Sequence, residues 1–274
     1  MRIKIADTKI CDACARKTCS NNDVVEKTDF HNLKSERYTC PVRLFQYGVT
    51  EEQLEHGYID IDLKEGKCIH CLLCVIRCSK QNLQIDSYHY DAADDFALIQ
   101  SVGDLQSSAP ANIIALSYLD CLFDFAANTN LNRSLLFDGY VYTVTNEQCF
   151  VEVDIQNDSL ESCRRLLGDI VSHNFKSGTK IKSGLMVLSN FPKTGSRDIY
   201  TLMEKIKAFP HTSDLTIYIT TFSLLRNFAL RFEKNKYSLK DLFLDMMSET
   251  SDTYKDRLLA NDIIDEDIAR QMFA

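Results

Sequence analysis

Four cysteines crowded into eleven residues constrain this chain more than any other feature. The run reads Cys68-Ile-His-Cys71-Leu-Leu-Cys74-Val-Ile-Arg-Cys78, with gaps of two, two and three residues. In a cubane iron–sulfur loop of this spacing, the first three thiolates bind one cluster and the fourth binds a second. A zinc ribbon uses paired cysteines instead, although two four-cysteine zinc sites remain an alternative.

The remaining cysteines of the N-terminal third supply further ligands. Eight of the 11 cysteines lie in the first 78 residues, the other four of them being Cys11, Cys14, Cys19 and Cys40. Such clustering in a chain predicted to be cytosolic favours metal binding over disulfides. Short strands are predicted at residues 2–6, 58–62 and 83–86. Cys121, Cys149 and Cys163 are interpreted as small buried hydrophobic residues.

Over roughly residues 1–88 this pattern resembles the bacterial two-cluster ferredoxin domain. The resemblance implies two [4Fe-4S] clusters with crossed ligands. One cluster would take Cys11, Cys14, Cys19 and Cys78, and the other would take Cys68, Cys71, Cys74 and Cys40. Residues 1–90 are therefore predicted to form an α+β ferredoxin-like domain. The clusters would transfer electrons, stabilise the fold or dock a protein partner, and the spacing does not choose among these roles.

Charge is distributed unevenly along the chain. The net charge is −8, and residues 1–90 are balanced, so the excess of acidic side chains lies beyond residue 90. This argues against a broad nucleic-acid-binding surface. Residues 176–207 are a local exception, with seven basic and two acidic side chains, and are a possible nucleic-acid contact. No apolar run is long enough for a membrane span, and the start lacks signal-peptide features, which predicts a cytoplasmic protein without membrane contact.

Residues 91–274 are predicted to form a second domain. Apolar periodicity predicts helices at 110–128, 158–171, 197–209, 223–234, 238–248 and 262–273, and strands at 135–144, 149–155, 185–189 and 215–220. In the helix at 158–171, the predicted buried residues are Leu160, Cys163, Leu167, Ile170 and Val171. This order predicts an α/β domain with a mixed sheet flanked by helices.

A second resemblance arises at two stretches of this domain, Phe137-Asp138-Gly139-Tyr140 and Phe150-Val151-Glu152-Val153-Asp154. Together they resemble the PD-(D/E)xK nuclease superfamily, over roughly residues 105–220, which implies a restriction-endonuclease-like fold. In that family a carboxylate opens one strand and an acid-x-lysine triplet follows on the next.

The resemblance assigns roles to particular residues. It implies that Asp138 and Glu152 bind a metal ion, with Asp124 (or Asp120) as an acid on the preceding helix. Asp154 stands at the lysine position and would assist metal binding or orient water. Lys180 or Lys182 is an alternative source of the missing lysine.

The leading hypothesis is therefore a Mg²⁺- or Mn²⁺-dependent nuclease, or a nuclease-like subunit of a nucleic-acid-processing or defence complex. Hard cations bound by carboxylates suit phosphodiester hydrolysis because they leave positions open for water and phosphate. Three alternatives stand beside it: acids that are merely solvated on a half-exposed strand, an inactive nuclease-like subunit in an assembly, and an electron-transfer subunit that docks a redox partner.

Overall fold

The structure is a computed structural model, and it describes residues 2–12, 51–60, 71–76, 78, 81–85, 109–127, 138–143, 147–155, 159–178, 180–192, 197–208 and 214–273. The chain divides into two compact units, Met1–Cys121 and Leu122–Ala274. The predicted boundary at residue 90 lies outside the described residues. No helix among those described is long and apolar enough to cross a membrane.

The N-terminal unit contains a small antiparallel sheet. Its strands are β1 (Arg2–Ile5), β2 (Tyr58–Asp60) and β3 (Leu83–Ile85), in the order β2-β1-β3. The strands fall where the sequence predicts them. Alternation places Ile3 and Ile5 in the core and Lys4 in solvent, as expected for a sheet with one covered face.

The described residues of this unit also form four helices. They are α1 (Thr8–Asp12), α2 (Glu51–His56), α3 (Leu73–Ile76) and α4 (Ala109–Leu122). The short α3 carries part of the cysteine run, and it follows Leu72, which has a left-handed φ of 59° and is buried. A leucine in that conformation is strained, so the tight turn through Leu72 is held by its surroundings.

The C-terminal unit is built on a mixed six-stranded sheet. Its strands are β4 (Asp124–Ala127), β5 (Gly139–Tyr142), β6 (Gln148–Asp154), β7 (Ser183–Leu188), β8 (Thr216–Thr221) and β9 (Leu244–Asp245), in sequence order across the sheet. β4, β5 and β6 form an antiparallel meander, β6, β7 and β8 are parallel, and β9 is antiparallel to β8. This confirms the predicted mixed sheet.

Helices connect and flank these strands. The parallel connections are made by α5 (Ser159–Ser177) and α6 (Arg197–Lys207), and the chain continues through α7 (Phe222–Arg231), α8 (Leu239–Leu242), α9 (Ser251–Ala260) and α10 (Glu266–Met272). Parallel strands need such crossovers because a tight turn reverses chain direction. Because β6 and β7 are covered on both faces, their side chains are almost uniformly buried.

Two predicted helices and one predicted buried residue are wrong. The helix predicted at 110–128 ends at Leu122, and the chain turns at Phe123 into β4. The helix predicted at 238–248 is broken because Leu244 and Asp245 pair with β8, and α9 was not predicted. Val171, placed on the buried face of α5, is 50% exposed.

Candidate functional site

Three carboxylates converge at the end of β6, and we call them the carboxylate cluster: Asp138, Glu152 and Asp154. Asp138 directly precedes β5, its backbone N–H donates to Val151 O at 2.8 Å, and its Oδ2 accepts from Val153 N at 2.8 Å. The Asp138 carboxylate is therefore fixed against β6 between the positions of the other two acids.

Glu152 and Asp154 are deeply buried, with exposed fractions of 3% and 5%. Their two-residue spacing puts them on one face of β6. The helix after the strand, α5, lies over that face, because its residues Arg165 and Ser162 contact the two acids. The interpretation of these acids as solvated side chains of a half-exposed strand is therefore wrong. Burying two carboxylates is costly unless partners compensate the charge.

Two side chains of α5 provide that compensation. The Nη2 of Arg165 contacts Oε1 of Glu152 and lies 3.1 Å from Oδ2 of Asp154. The Ser162 hydroxyl donates to the same Asp154 oxygen at 2.5 Å. Arg165 thus bridges the two acids of β6, while Ser162 holds Asp154.

The compensation of Glu152 is incomplete. Its Oε2 is buried without a hydrogen-bond partner, as is Nε of Arg165. Burial, and next the negative charge of Asp138, raise the pKa of Glu152 to about 8, while Arg165 opposes this rise. Glu152 therefore changes protonation near pH 8. In the ionised form its Oε2 is free to accept a hydrogen bond or bind a cation.

The structure places the cluster at the carboxyl end of the parallel strands. Asp154 pairs with Leu188 of β7, which pairs with Thr221, the last residue of β8. This end of an open α/β sheet is the usual location of ligand sites. Within the described residues, however, no three His, Cys, Asp or Glu side chains are arranged to hold a metal ion together.

Asp124 does not join the cluster. It opens β4 rather than lying on a helix, and it pairs with Tyr142, which pairs with Gln148 at the start of β6. Four to six residues of β6 separate that point from Glu152 and Asp154, about 13–20 Å of strand. The exposed Asp124 contacts Lys234 at 3.3 Å and accepts from Asn235 at 3.1 Å instead.

Neither alternative lysine lies near the carboxylates. Lys180 and Lys182 precede β7 at its amino end, where Ser183 pairs with Cys149. Lys180 forms an ion pair with Asp214 at 2.6 Å. The described cation beside Glu152 and Asp154 is Arg165.

Arg165 and Ser162 were not among the site residues predicted from the sequence. Both lie on α5, which was predicted from its apolar stripe. With the buried Asp169 they form a second, polar stripe at spacings of three and four residues. Such a stripe on a helix that covers two acids of the preceding strand is the signal that would have identified them.

The second candidate site is the cysteine run of the N-terminal unit. Cys71 and Cys74 are buried, each 7% exposed, and Cys78 is half-buried. Tyr118 of α4, itself fully buried, donates its hydroxyl to the backbone O of Cys71 at 2.6 Å. The loop is thus fixed from outside the run.

Asn82 connects the end of this run to the segment before Cys11. Its backbone N–H donates to Sγ of Cys78 at 3.3 Å, and its side-chain amide forms two bonds with the backbone of Asp7, at 2.9 and 2.7 Å. A further bond joins Ala6 N to Asn82 O at 2.9 Å. Asn82 therefore links the two stretches from which the resemblance draws the ligands of one cluster.

These cysteines fit an iron–sulfur group in chemistry. Cysteines shielded from water, with an N–H donor directed at one sulfur, are surroundings that tune the reduction potential of iron–sulfur clusters. The side chain of Cys11 and all of Cys14, Cys19, Cys40 and Cys68 lie outside the described residues, so the crossed assignment stays a prediction.

Two of the other three cysteines are buried, as predicted. Cys149 and Cys163 are fully buried, and burial raises the pKa of each thiol to about 12, so both remain protonated. Cys121 is half-buried.

Comparison of the chain with protein-family models, with curated proteins and with solved structures gave no match.

Proposed function

We propose that this chain is an iron–sulfur protein whose C-terminal unit is a divalent-metal-dependent nuclease. The observation that supports the proposal most is the position of Asp138, Glu152 and Asp154, which two neighbouring strands bring to the carboxyl end of the parallel sheet. Burying Glu152 and Asp154 beside the half-buried Asp138 lowers stability, so the presence of the three acids in one place favours a chemical role over a structural one.

Asp138 and Glu152 are the proposed metal ligands. Oε2 of Glu152 has no hydrogen-bond partner, and Asp138 is fixed beside it by the Val153 N–H. A bound Mg²⁺ or Mn²⁺ would polarise the phosphate and lower the pKa of a bound water. Because the pKa of Glu152 is raised to about 8, the ionised form needed for binding increases as the pH rises towards 8 and above.

Asp154 and Arg165 have supporting roles in the proposal. Ser162 and Arg165 hold Asp154, which would orient the attacking water. Arg165 would supply the positive charge that nucleases of the PD-(D/E)xK superfamily take from a lysine at the position of Asp154. The Arg165 side chain is about one-third exposed, so it can contact both the buried acids and a substrate phosphate.

The proposed clusters of the N-terminal unit are two [4Fe-4S] groups bound by the eight N-terminal cysteines. The buried Cys71 and Cys74 and the N–H donor to Cys78 support this part of the proposal. We propose that the clusters stabilise the fold or dock a protein partner.

A second candidate function is a non-catalytic, nuclease-like subunit of an assembly. The Arg165 bridge favours it, because a guanidinium already compensates Glu152 and Asp154 where a metal ion would be expected.

A cleavage assay separates the two candidates. Anaerobically purified protein is incubated with single-stranded DNA, duplex DNA and RNA in Mn²⁺ or in EDTA, alongside the variants Asp138→Asn and Glu152→Gln. Since a metal ion contributes several kcal/mol to such reactions, we expect each substitution to lower the rate by about 100-fold or more.

Asp214→Asn is the matched control, because Asp214 is an exposed acid at the amino end of the parallel strands. Its rate should equal that of the wild type. If no substrate is cleaved in Mn²⁺, or if Glu152→Gln and Asp214→Asn are equally active, the non-catalytic candidate replaces the nuclease.

A further inference from the structure

A second positive segment of the C-terminal unit lies outside residues 176–207, the segment that the sequence suggested. Residues 231–240, which we call the basic loop, connect α7 to α8 and read Arg-Phe-Glu-Lys-Asn-Lys-Tyr-Ser-Leu-Lys. Four basic side chains face one acidic side chain, Glu233, and all five are exposed. This local excess of positive charge stands in a unit that is acidic overall.

Aromatic rings alternate with these cations. Phe232 and Tyr237 are half-buried and pack edge to face with centroids 4.6 Å apart. The Arg231 guanidinium lies 5.9 Å from the Phe232 centroid, and Nζ of Lys236 lies 5.6 Å from the Tyr237 centroid. Exposed cations beside partly exposed rings are the combination that contacts phosphates and stacks bases in single-stranded nucleic acids.

The loop is held in place by the core. Phe232 stacks on the buried Phe228 with centroids 5.7 Å apart, and Asn235, at a left-handed φ of 60°, donates its backbone N–H to Leu122 O at 2.8 Å. A ligand that binds this loop therefore does not have to order it first, which favours affinity.

Three of the four cations are available to a ligand. Lys234 is paired with Asp124, but Arg231, Lys236 and Lys240 form no ion pair among the described residues. In the segment 176–207, by contrast, Lys180 is already neutralised by Asp214.

We propose that the basic loop binds single-stranded nucleic acid. The inference rests on the proposed nuclease function for its purpose, since it names the substrate class. The loop contacts Asp124, which is level with Gln148 at the start of β6. The carboxylate cluster lies about 13–20 Å further along the strand direction, at the opposite end of the strands.

The test measures binding without cleavage. Fluorescence anisotropy of labelled single-stranded DNA, single-stranded RNA and duplex DNA, each about 20 nucleotides long, is followed in EDTA at several salt concentrations. The double variant Arg231→Gln/Lys236→Gln is compared with Lys176→Gln/Lys205→Gln, in which two exposed lysines of the segment 176–207 are changed. Tyr237→Leu tests stacking, and the thermal midpoint of each variant confirms folding.

We expect the wild type to bind single strands more tightly than duplex. The loop double variant should weaken single-strand binding by about tenfold or more and reduce the slope of log K against log salt by about 1.4, at 0.7 per lost phosphate contact. The control variant should change binding less than about twofold.

Several outcomes overturn the inference: no binding by the wild type, equal losses in the two double variants, or competition by polyglutamate as effective as that by unlabelled oligonucleotide, which would indicate an acidic protein partner. The binding assay contains no divalent cation and is therefore independent of cleavage. Binding by the loop in a protein that does not cleave in Mn²⁺ rejects the nuclease function and leaves the loop proposal standing. Cleavage that the loop variants leave unchanged rejects the loop alone.

Discussion

Arg165 and Glu152 form an ion pair in which each residue keeps one unsatisfied polar atom. Nη2 of Arg165 contacts Oε1 of Glu152, while Nε of the arginine and Oε2 of the glutamate are buried without hydrogen-bond partners. A buried pair that existed only for stability would be expected to satisfy these atoms, because each unpaired group costs about 1–3 kcal/mol. The pair is therefore suited to accept a further ligand.

Replacing Arg165 should destabilise the C-terminal unit in a pH-dependent way. In Arg165→Met, the negative charges of Glu152 and Asp154 lose their shared cation. We expect the free energy of unfolding to fall by about 1–3 kcal/mol at pH 8, and by less at pH 6, where Glu152 is protonated. Chemical denaturation at both pH values measures this.

The neighbouring Arg164→Met is the matched control. Arg164 is exposed and pairs with the exposed Glu161 within α5, so its loss should cost far less stability than the loss of Arg165. Equal losses in the two variants would mean that the contacts of Arg165 with the buried acids contribute no more to stability than a surface pair.

The pKa of Glu152 predicts how stability changes with pH. Its pKa is raised from 4.5 to about 8, chiefly by burial, so between these values the folded protein binds a proton that the unfolded chain has lost. Stability from this group therefore falls as the pH rises from about 4.5 to about 8, by at most about 1.4 kcal/mol per pH unit. Glu152→Gln should remove this slope.

Denaturation midpoints from pH 5 to pH 9 test the slope. Glu161→Gln, an exposed glutamate of α5 whose pKa is lowered by Arg164, should retain the wild-type fall. If the wild type and Glu152→Gln give parallel pH profiles, the raised pKa is wrong.

Asn82 offers a test of the cysteine loop that does not depend on cleavage. Asn82→Ala removes both amide bonds to Asp7 and releases the segment that leads to Cys11. Leaving these backbone groups unpaired should cost about 1–3 kcal/mol. We expect the anaerobically purified variant to contain less iron per chain and to absorb visible light more weakly than the wild type.

Gln84→Ala is the comparison, because Gln84 is exposed on the neighbouring strand β3. It should keep the iron content of the wild type. Full iron content in Asn82→Ala would show that the link between Asn82 and Asp7 is not needed for cluster assembly. Zinc in place of iron in the wild type would reject the clusters themselves.

Two glycines of the C-terminal unit, one buried on β7 and one exposed on α5, should respond to alanine in opposite directions. A Cβ at Gly184 of β7 would lie 2.9 Å from Leu166 Cδ2 and 3.0 Å from both Ile170 Cδ1 and Ile217 Cδ1. Because α5 packs directly on the strand there, Gly184→Ala should cost about 1–3 kcal/mol.

Gly168, on α5 itself, has open space at the same position. Gly168→Ala should stabilise the unit by about 0.5–1 kcal/mol, since glycine inside a helix is less favourable than alanine. Thermal midpoints of the two variants measure the difference. A stabilising Gly184→Ala would show that the helix can move away from the sheet.

The sequence predicted the strands of the parallel core because their apolar patterns are local. It predicted that Glu152 and Asp154 share a face because period-two spacing depends only on the strand. Arg165 was missed because its partners lie on another element, and Val171 was misplaced because an apolar residue at helical spacing need not face the sheet. The short β9 was missed because only pairing with β8 makes residues 244–245 a strand.

The position of Asp124 shows the same limit. The apolar periodicity of residues 110–128 placed it on a helix with Asp120, but α4 ends at Leu122 and Asp124 lies at the far end of β4 from Asp138. Nothing in the local pattern marks that end, because residues 122–127 remain apolar enough to continue a helix. Tertiary pairing with β5 decides the outcome.

The carboxylate–arginine contacts join residues that are close along the chain. Glu152, Asp154, Ser162 and Arg165 all fall within residues 152–165, on one strand and the helix that follows it. Only Asp138 comes from outside this span, through a neighbouring hairpin strand. Contacts of such short sequence separation have a low loop-closure cost. The charged centre can therefore assemble early in folding, before β9 and the C-terminal helices join the sheet.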